Sequence, residues 1–331
     1  MNKSRGWLIA FAVVSLVAIF LFYEFGFFDV SLAPRRNVPS VPVQPSCIVP
    51  PAYPKLIMQS AVICPGNYNY GIGIGASNVS VKCLAATFTG ENSSIQNGLS
   101  INGPYSNISV EDCIFIAFSE NGIFLKGSVG TANPQKLKGV LLRNVQAINN
   151  KKNGLKINEN TYQIDVVGGS YSKNRFENGI YVGSNYKDPL RYTVNPDLFP
   201  NYFPNDVRIF NATISNNYEN GIHVDAERYY RYLEDIDDEN NTIIIDGNQL
   251  SNNLANGVKN TDFSTGLFRE SYFINGNNIT NNSLVGINVH TKKTQGPNGT
   301  EIRCNPSNNY PNANHLAESR IDFIYLNRIE G

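Results

Sequence analysis

The feature that most constrains this chain is a short phrase, Asn-Gly-Ile-x-Val, that keeps returning. It appears as Asn97-Gly98-Leu99-Ser100-Ile101, Asn121-Gly122-Ile123-Phe124-Leu125, Asn153-Gly154-Leu155-Lys156-Ile157, Asn178-Gly179-Ile180-Tyr181-Val182 and Asn220-Gly221-Ile222-His223-Val224. Variants are Tyr70-Gly71-Ile72, Asn256-Gly257-Val258 and Val285-Gly286-Ile287. The eight glycines are 24 to 42 residues apart, a period that means stacked repeats rather than a layered globular core. Between glycines the units also match. Residues 14, 12, 9 and 7 before Gly122 are Ile108, Val110, Cys113 and Phe115; before Gly221 they are Val207, Ile209, Ala212 and Ile214. Five units hold this frame, the Gly179 unit slips by one residue and the Gly98 unit by five.

Apolar residues two apart share one face of a strand, so each unit reads as three short strands. Strands this short are stable only when each pairs with its equivalent in the next coil. Glycine is expected to supply a left-handed corner. Asn150, Asn217, Asn253 and Asn282, each four residues before a repeat glycine, predict a ladder of stacked amides. Eight coils at ~4.8 Å per coil give a stack about 38 Å tall.

This pattern resembles the right-handed parallel β-helix of the pectin-lyase-like superfamily over residues 60–300. The resemblance implies an all-β solenoid and a polysaccharide or glycoconjugate partner. It does not imply one chemistry, because that superfamily holds lyases, hydrolases, epimerases and non-enzymatic adhesins. Asn260-Thr261-Asp262 matches the Asn-Thr-Asp of polygalacturonases, but the paired Asp and His-Gly of that family do not follow it. His223-Val224-Asp225 is a faint echo of the Asp-Pro-His of mannuronan epimerases.

Residues 1–6 read as a cytoplasmic amino terminus and 7–23, an uncharged apolar run, as a transmembrane anchor. Lys3 and Arg5 orient it so that the rest lies outside the cytoplasm. The rival is a signal peptide cleaved after Ser31-Leu32-Ala33, which would release the protein. Residues 24–55 are a proline-rich stalk, 56–301 the β-helix and 302–331 a carboxy-terminal cap. Eight Asn-x-Ser/Thr sequons after the anchor fit an exported glycoprotein.

The net charge of zero points away from nucleic acid. Five cysteines without zinc spacing predict no metal site, and no residue pattern names a cofactor. Cys47 and Cys64 suit an amino-terminal staple; Cys83 and Cys113 are either a disulfide or two buried thiols.

Segments 126–138, 183–206, 225–241, 260–270 and 290–300 all follow the G-I-x-V strand, so one corner of the coil carries the long loops. They supply a candidate substrate wall of Tyr186, Arg191, Tyr192, Glu227, Arg228, Tyr229, Tyr230, Arg231 and Tyr232, with His290 nearby. Within G-I-x-V the x side chain faces outward. The frame therefore gathers Tyr181, His223, Asp225 and Lys259 within one or two coils, a set suited to acid–base chemistry on an acidic sugar. The competing expectations are a solvated surface pair on a non-catalytic adhesin or spike, or a structural envelope protein.

Overall fold

The computed structural model describes residues 46–91, 95–128, 135–183, 204–225, 241–262, 270–284, 287–291, 314–315, 323–325 and 328–330. The chain divides into two units, Met1–Pro45 and Ser46–Gly331, and every described residue lies in the second. Among the described residues there is no helix, so none is long and apolar enough to cross a membrane. The apolar run 7–23 lies outside them.

The described strands form three parallel sheets and nothing else. A ten-stranded sheet runs from Leu56–Ile57 to Asn314–His315 and holds every described strand that follows a repeat glycine. Two nine-stranded sheets run from Ala61–Ile63 to Phe323–Tyr325 and from Gly66–Tyr68 to Arg328–Glu330. Each strand's neighbours come from the preceding and following coils, so the fold is a right-handed parallel β-helix.

The two frame slips vanish in three dimensions. Val140 pairs with Ile164 and Leu142 with Val166, while Val79 pairs with Ile108 and Val81 with Val110. The extra residue of the Gly179 unit is accommodated in the turn between Asn174 and Asn178, which is one residue longer than the turn between Asn150 and Asn153. Strands keep their register because a one-residue shift would send every inward side chain to solvent.

The interior is largely aliphatic. Ile123, Leu125, Val140, Leu142, Ile164, Val166, Ile222 and Val224 are all buried, each contributing roughly 1.5–3 kcal/mol by leaving water. An internal column of rings, Tyr68, Phe88 and Phe115, stacks at 5.2 Å between successive centroids. It gives way to Ala147 in the next coil and then to fully buried Tyr171.

The repeat glycines serve a different purpose from the one expected. Those described are absent from the left-handed region. What forbids a side chain is the next coil: a Cβ on Gly122 would lie 2.6 Å from Ala147 Cβ and 2.8 Å from the Gly154 carbonyl oxygen. The left-handed corners fall instead to Asn149, Asn216, Asn252 and Asn281, each just before a ladder asparagine, with φ between +52° and +59°.

The amides form two long ladders. The expected column, with Asn174 added, links Asn150, Asn174, Asn217, Asn253 and Asn282. A second links the asparagines of the Asn-Gly pairs, Asn97, Asn121, Asn153, Asn178, Asn220 and Asn256. In both, an amide oxygen within the ladder also accepts a backbone N–H from a neighbouring coil, which satisfies these buried asparagines except at Asn256, where the second ladder ends.

At the amino-terminal edge Cys47–Cys64 and, deeper in, Cys83–Cys113 are disulfide-bonded. Cys304 lies outside the described residues. The end of the proline-rich stretch is not a free stalk. Tyr53 N–H bonds the Gly71 carbonyl, the Tyr70 hydroxyl bonds the Pro50 carbonyl, and Ile48 bridges to Ile63. The disulfide at Cys47 holds this segment against the first coil. At the other end, three short strands of the segment read as a cap extend each sheet by one parallel strand.

Candidate functional site

The ten-stranded sheet turns its alternate side chains outward, and stacking places residues from distant parts of the chain side by side. Phe124 pairs with Lys156, Lys156 with Tyr181, Tyr181 with His223, and His223 with Lys259. In the next outward column Gly183 pairs with Asp225 and Asp225 with Thr261. Inward partners in the same strands, Ile180, Val182, Ile222 and Val224, are buried in the core and hold these strands rigid.

Tyr181 is the centre of the group. Its hydroxyl donates to Asp225 Oδ2 at 2.8 Å. Lys156 Nζ sits 5.2 Å from the centre of its ring, within cation–π range. The His223 imidazole meets it edge-on, at 5.5 Å between centroids and 90° between planes. Gly183 makes room for the phenol and carboxylate, since a Cβ there would lie 2.9 Å from the Tyr181 hydroxyl and 3.0 Å from Asp225 Cβ.

Burial lowers the pKa of His223 to about 4, Lys259 across the strand pair adds to that, and Asp225 opposes it. The imidazole is therefore neutral at pH 7 and able to accept a proton. Burial also lowers the Lys156 pKa, with Glu177, Glu159 and Glu120 opposing and Lys152 adding. Glu219, in the turn before His223, has its pKa raised by burial and then by Glu177, against the pull of Lys259. Toward the amino-terminal coils the face continues as ion pairs, Lys126–Glu159 at 2.7 Å and Lys152–Glu120 at 2.6 Å.

Of the residues expected from the sequence, the fold thus places Tyr181, His223, Asp225 and Lys259 on adjacent strands. Tyr181 and Asp225 are both only 8% exposed, so they are not a solvated surface pair. His290 lies on the strand Ile287–Thr291, with its backbone paired to Thr261. Tyr186, Arg191, Tyr192, Glu227, Arg228, Tyr229, Tyr230, Arg231 and Tyr232 lie outside the described residues. Sequence reasoning missed Glu177 and Glu219. Their signal was present, since Glu120, Glu177 and Glu219 all stand two residues before a repeat glycine. Among the described residues no group of three or more His, Cys, Asp or Glu side chains is arranged to hold a metal ion.

No family model matches this chain, and no curated protein matches it. Among solved structures it is similar to the A-module of mannuronan C-5 epimerase AlgE4 from Azotobacter vinelandii, at 12% identity and a TM-score of 0.38 over 74% of this chain and 76% of that one. The AlgE6 A-module from the same organism gives 13% identity and 0.35 over 74% of each chain. The catalytic domain of a GH87 alpha-1,3-glucanase in complex with tetrasaccharides gives 11% and 0.36, over 80% of this chain and 64% of that one.

Proposed function

We propose that this protein binds an acidic polysaccharide across the outer face of the ten-stranded sheet and cleaves it by β-elimination. The observation that carries the reading is the order of side chains along one row: Lys156, Tyr181, His223, Lys259. Two cations stand three strand spacings apart, about 14 Å, with a phenol and a neutral imidazole between them. An anionic chain laid across the row meets a lysine at each end. At the centre, His223 takes the proton α to a uronate carboxylate, and a lysine offsets the charge that develops on that carboxylate. The electron pair forms the C4–C5 double bond as the C4–O4 bond breaks. Tyr181 gives its hydroxyl proton to the departing oxygen and regains one from solvent through Asp225. Base and acid stand on the same wall, so they reach the same side of a sugar. That favours syn elimination over epimerisation, which needs a proton returned from the opposite side.

The test is absorbance of the unsaturated product, with deuterium exchange at C5 in heavy water, on a panel of polyuronates. Wild type forms product, whereas His223→Gln and Tyr181→Phe lose about a hundredfold or more, the scale of one acid–base group. No product and no exchange with any uronan sinks the catalytic part. One observation favours a second reading, a non-catalytic glycan-binding spike: Tyr181 and Asp225 are already bonded to each other and buried, as in a structural pair. In that case the polymer binds, nothing is released, and Tyr181→Phe lowers stability instead.

We further propose that residues 7–23 tether the protein with its β-helix outside the cytoplasm. The two disulfides support this, because such bonds persist in oxidising compartments. Protease accessibility of the β-helix on intact cells tests it.

A further inference from the structure

Beside the row of lysines, tyrosine and histidine runs a second surface. Among the described residues, the turns before the repeat glycines carry exposed side chains, and in four successive coils one of these is large and apolar. Phe176, Tyr218, Leu254 and Leu284 are 55%, 56%, 58% and 51% exposed. Backbone hydrogen bonds stack Leu254 directly over Tyr218, through Leu254 N–H to the Asn217 carbonyl, while Leu284 lies one position aside in the next coil, its N–H bonding the Ala255 carbonyl. Phe176 and Tyr218 meet edge-to-face with centroids 6.3 Å apart. Phe176 occupies the turn that is one residue longer than its counterpart, so the fold tolerates an irregularity where this ring stands out.

Exposed apolar side chains in four successive coils, at least three of them neighbours, are costly unless something covers them, which marks an interaction surface. Their neighbours indicate what kind. In the coil below Tyr218 lies Arg175, and below that Lys151, both exposed and joined in register by the Arg175 N–H to Asn150 carbonyl bond. The strip therefore passes from two cations through two aromatic rings to Leu254, with Leu284 one position aside in the next coil. A uronic acid polymer has matching chemistry, with carboxylates for the cations and the apolar C–H faces of sugar rings for Phe176 and Tyr218. The strip also lies alongside the site: Phe176 and Tyr218 each stand five residues before Tyr181 and His223.

We infer that this strip is a second contact for the polysaccharide, holding a flanking stretch of the same acidic chain that reaches the Tyr181–His223 row. This rests on the proposed function, and its own consequence is a dependence on polymer length. Purified full chain would be titrated with long and short oligogalacturonates and oligoalginates, alongside sedimentation velocity. Phe176→Ala/Tyr218→Ala should weaken binding of long oligomers about tenfold, since two aromatic stacking contacts are removed, and leave short oligomers and the urea midpoint unchanged. Arg175→Gln/Lys151→Gln should flatten the salt dependence of long-oligomer binding.

Unchanged long-oligomer affinity in the aromatic double variant overturns this inference while leaving the proposed function standing. So does a wild-type dimer that the same substitutions dissociate, because the strip would then cover a second copy. If wild type binds no polyuronate of any length, both readings fall.

Discussion

Lowering the pH should destabilise the protein through one imidazole. The His223 pKa is pressed to about 4, chiefly by burial and secondarily by Lys259, from an ordinary value of 6.5. In the unfolded chain the same residue takes up its proton near pH 6.5. Between these values the unfolded state therefore holds one more proton than the native state, and stability falls as the pH drops. Each pH unit corresponds to 1.36 kcal/mol, so the gap of about 2.5 units is worth about 3 kcal/mol in full. His223→Gln removes the titration while keeping a polar side chain of similar size. Urea unfolding at pH 7.5 and pH 4.5 should show wild type losing about 2–3 kcal/mol more than the variant over that interval. Comparing the two proteins matters because Asp165 and Glu219, whose pKa values burial raises, titrate in both. Equal pH slopes in the two proteins, or a folded-state imidazole that titrates near pH 6.5 by NMR, would refute the reasoning.

Other substitutions probe the coil itself. Gly221→Ala places a Cβ 2.6 Å from the Gly257 carbonyl oxygen, and should cost about 1–3 kcal/mol by thermal or urea unfolding, as overpacking does. Removing the Cys83–Cys113 disulfide, which spans 30 residues, by a double alanine change should lower stability by about 3–4 kcal/mol on the loop-entropy estimate. Asn256 Oδ1 is buried without a hydrogen-bond partner at the end of its ladder, and the next unit of the sequence has Val285 where an asparagine would continue it. Val285→Asn should raise the unfolding free energy from urea titration by about 1 kcal/mol if the ladder extends, and Val285→Thr should not.

The stack was legible in the sequence because a β-helix writes its register into the chain. Ile108, Val140 and Val207 occupy one frame position and one face of one sheet. The row Tyr181–His223–Lys259 followed from the same frame. What could not be read was local. Glycine looks alike whether a corner needs φ > 0 or a neighbouring coil needs the space, and only the 2.6–2.8 Å approaches at Gly122 decide it. Pairing of Cys83 with Cys113 depended on whether a unit five residues out of frame returned to register, which insertions in turns allowed. The hydrogen bond from Tyr181 to Asp225 is a diagonal contact between strands, invisible to any column count.

The two amide ladders differ in direction. In the column beginning at Asn97 every amide-to-amide bond points back toward the amino-terminal coil, as from Asn121 to Asn97 and from Asn256 to Asn220. In the column beginning at Asn150 every one points forward, from Asn150 to Asn174 and from Asn253 to Asn282. Each line of aligned amides polarises along its length, and bonds in such a chain reinforce one another. Run in opposition, the two lines oppose each other's dipoles, so the solenoid can lengthen coil by coil without their accumulating a voltage between its ends.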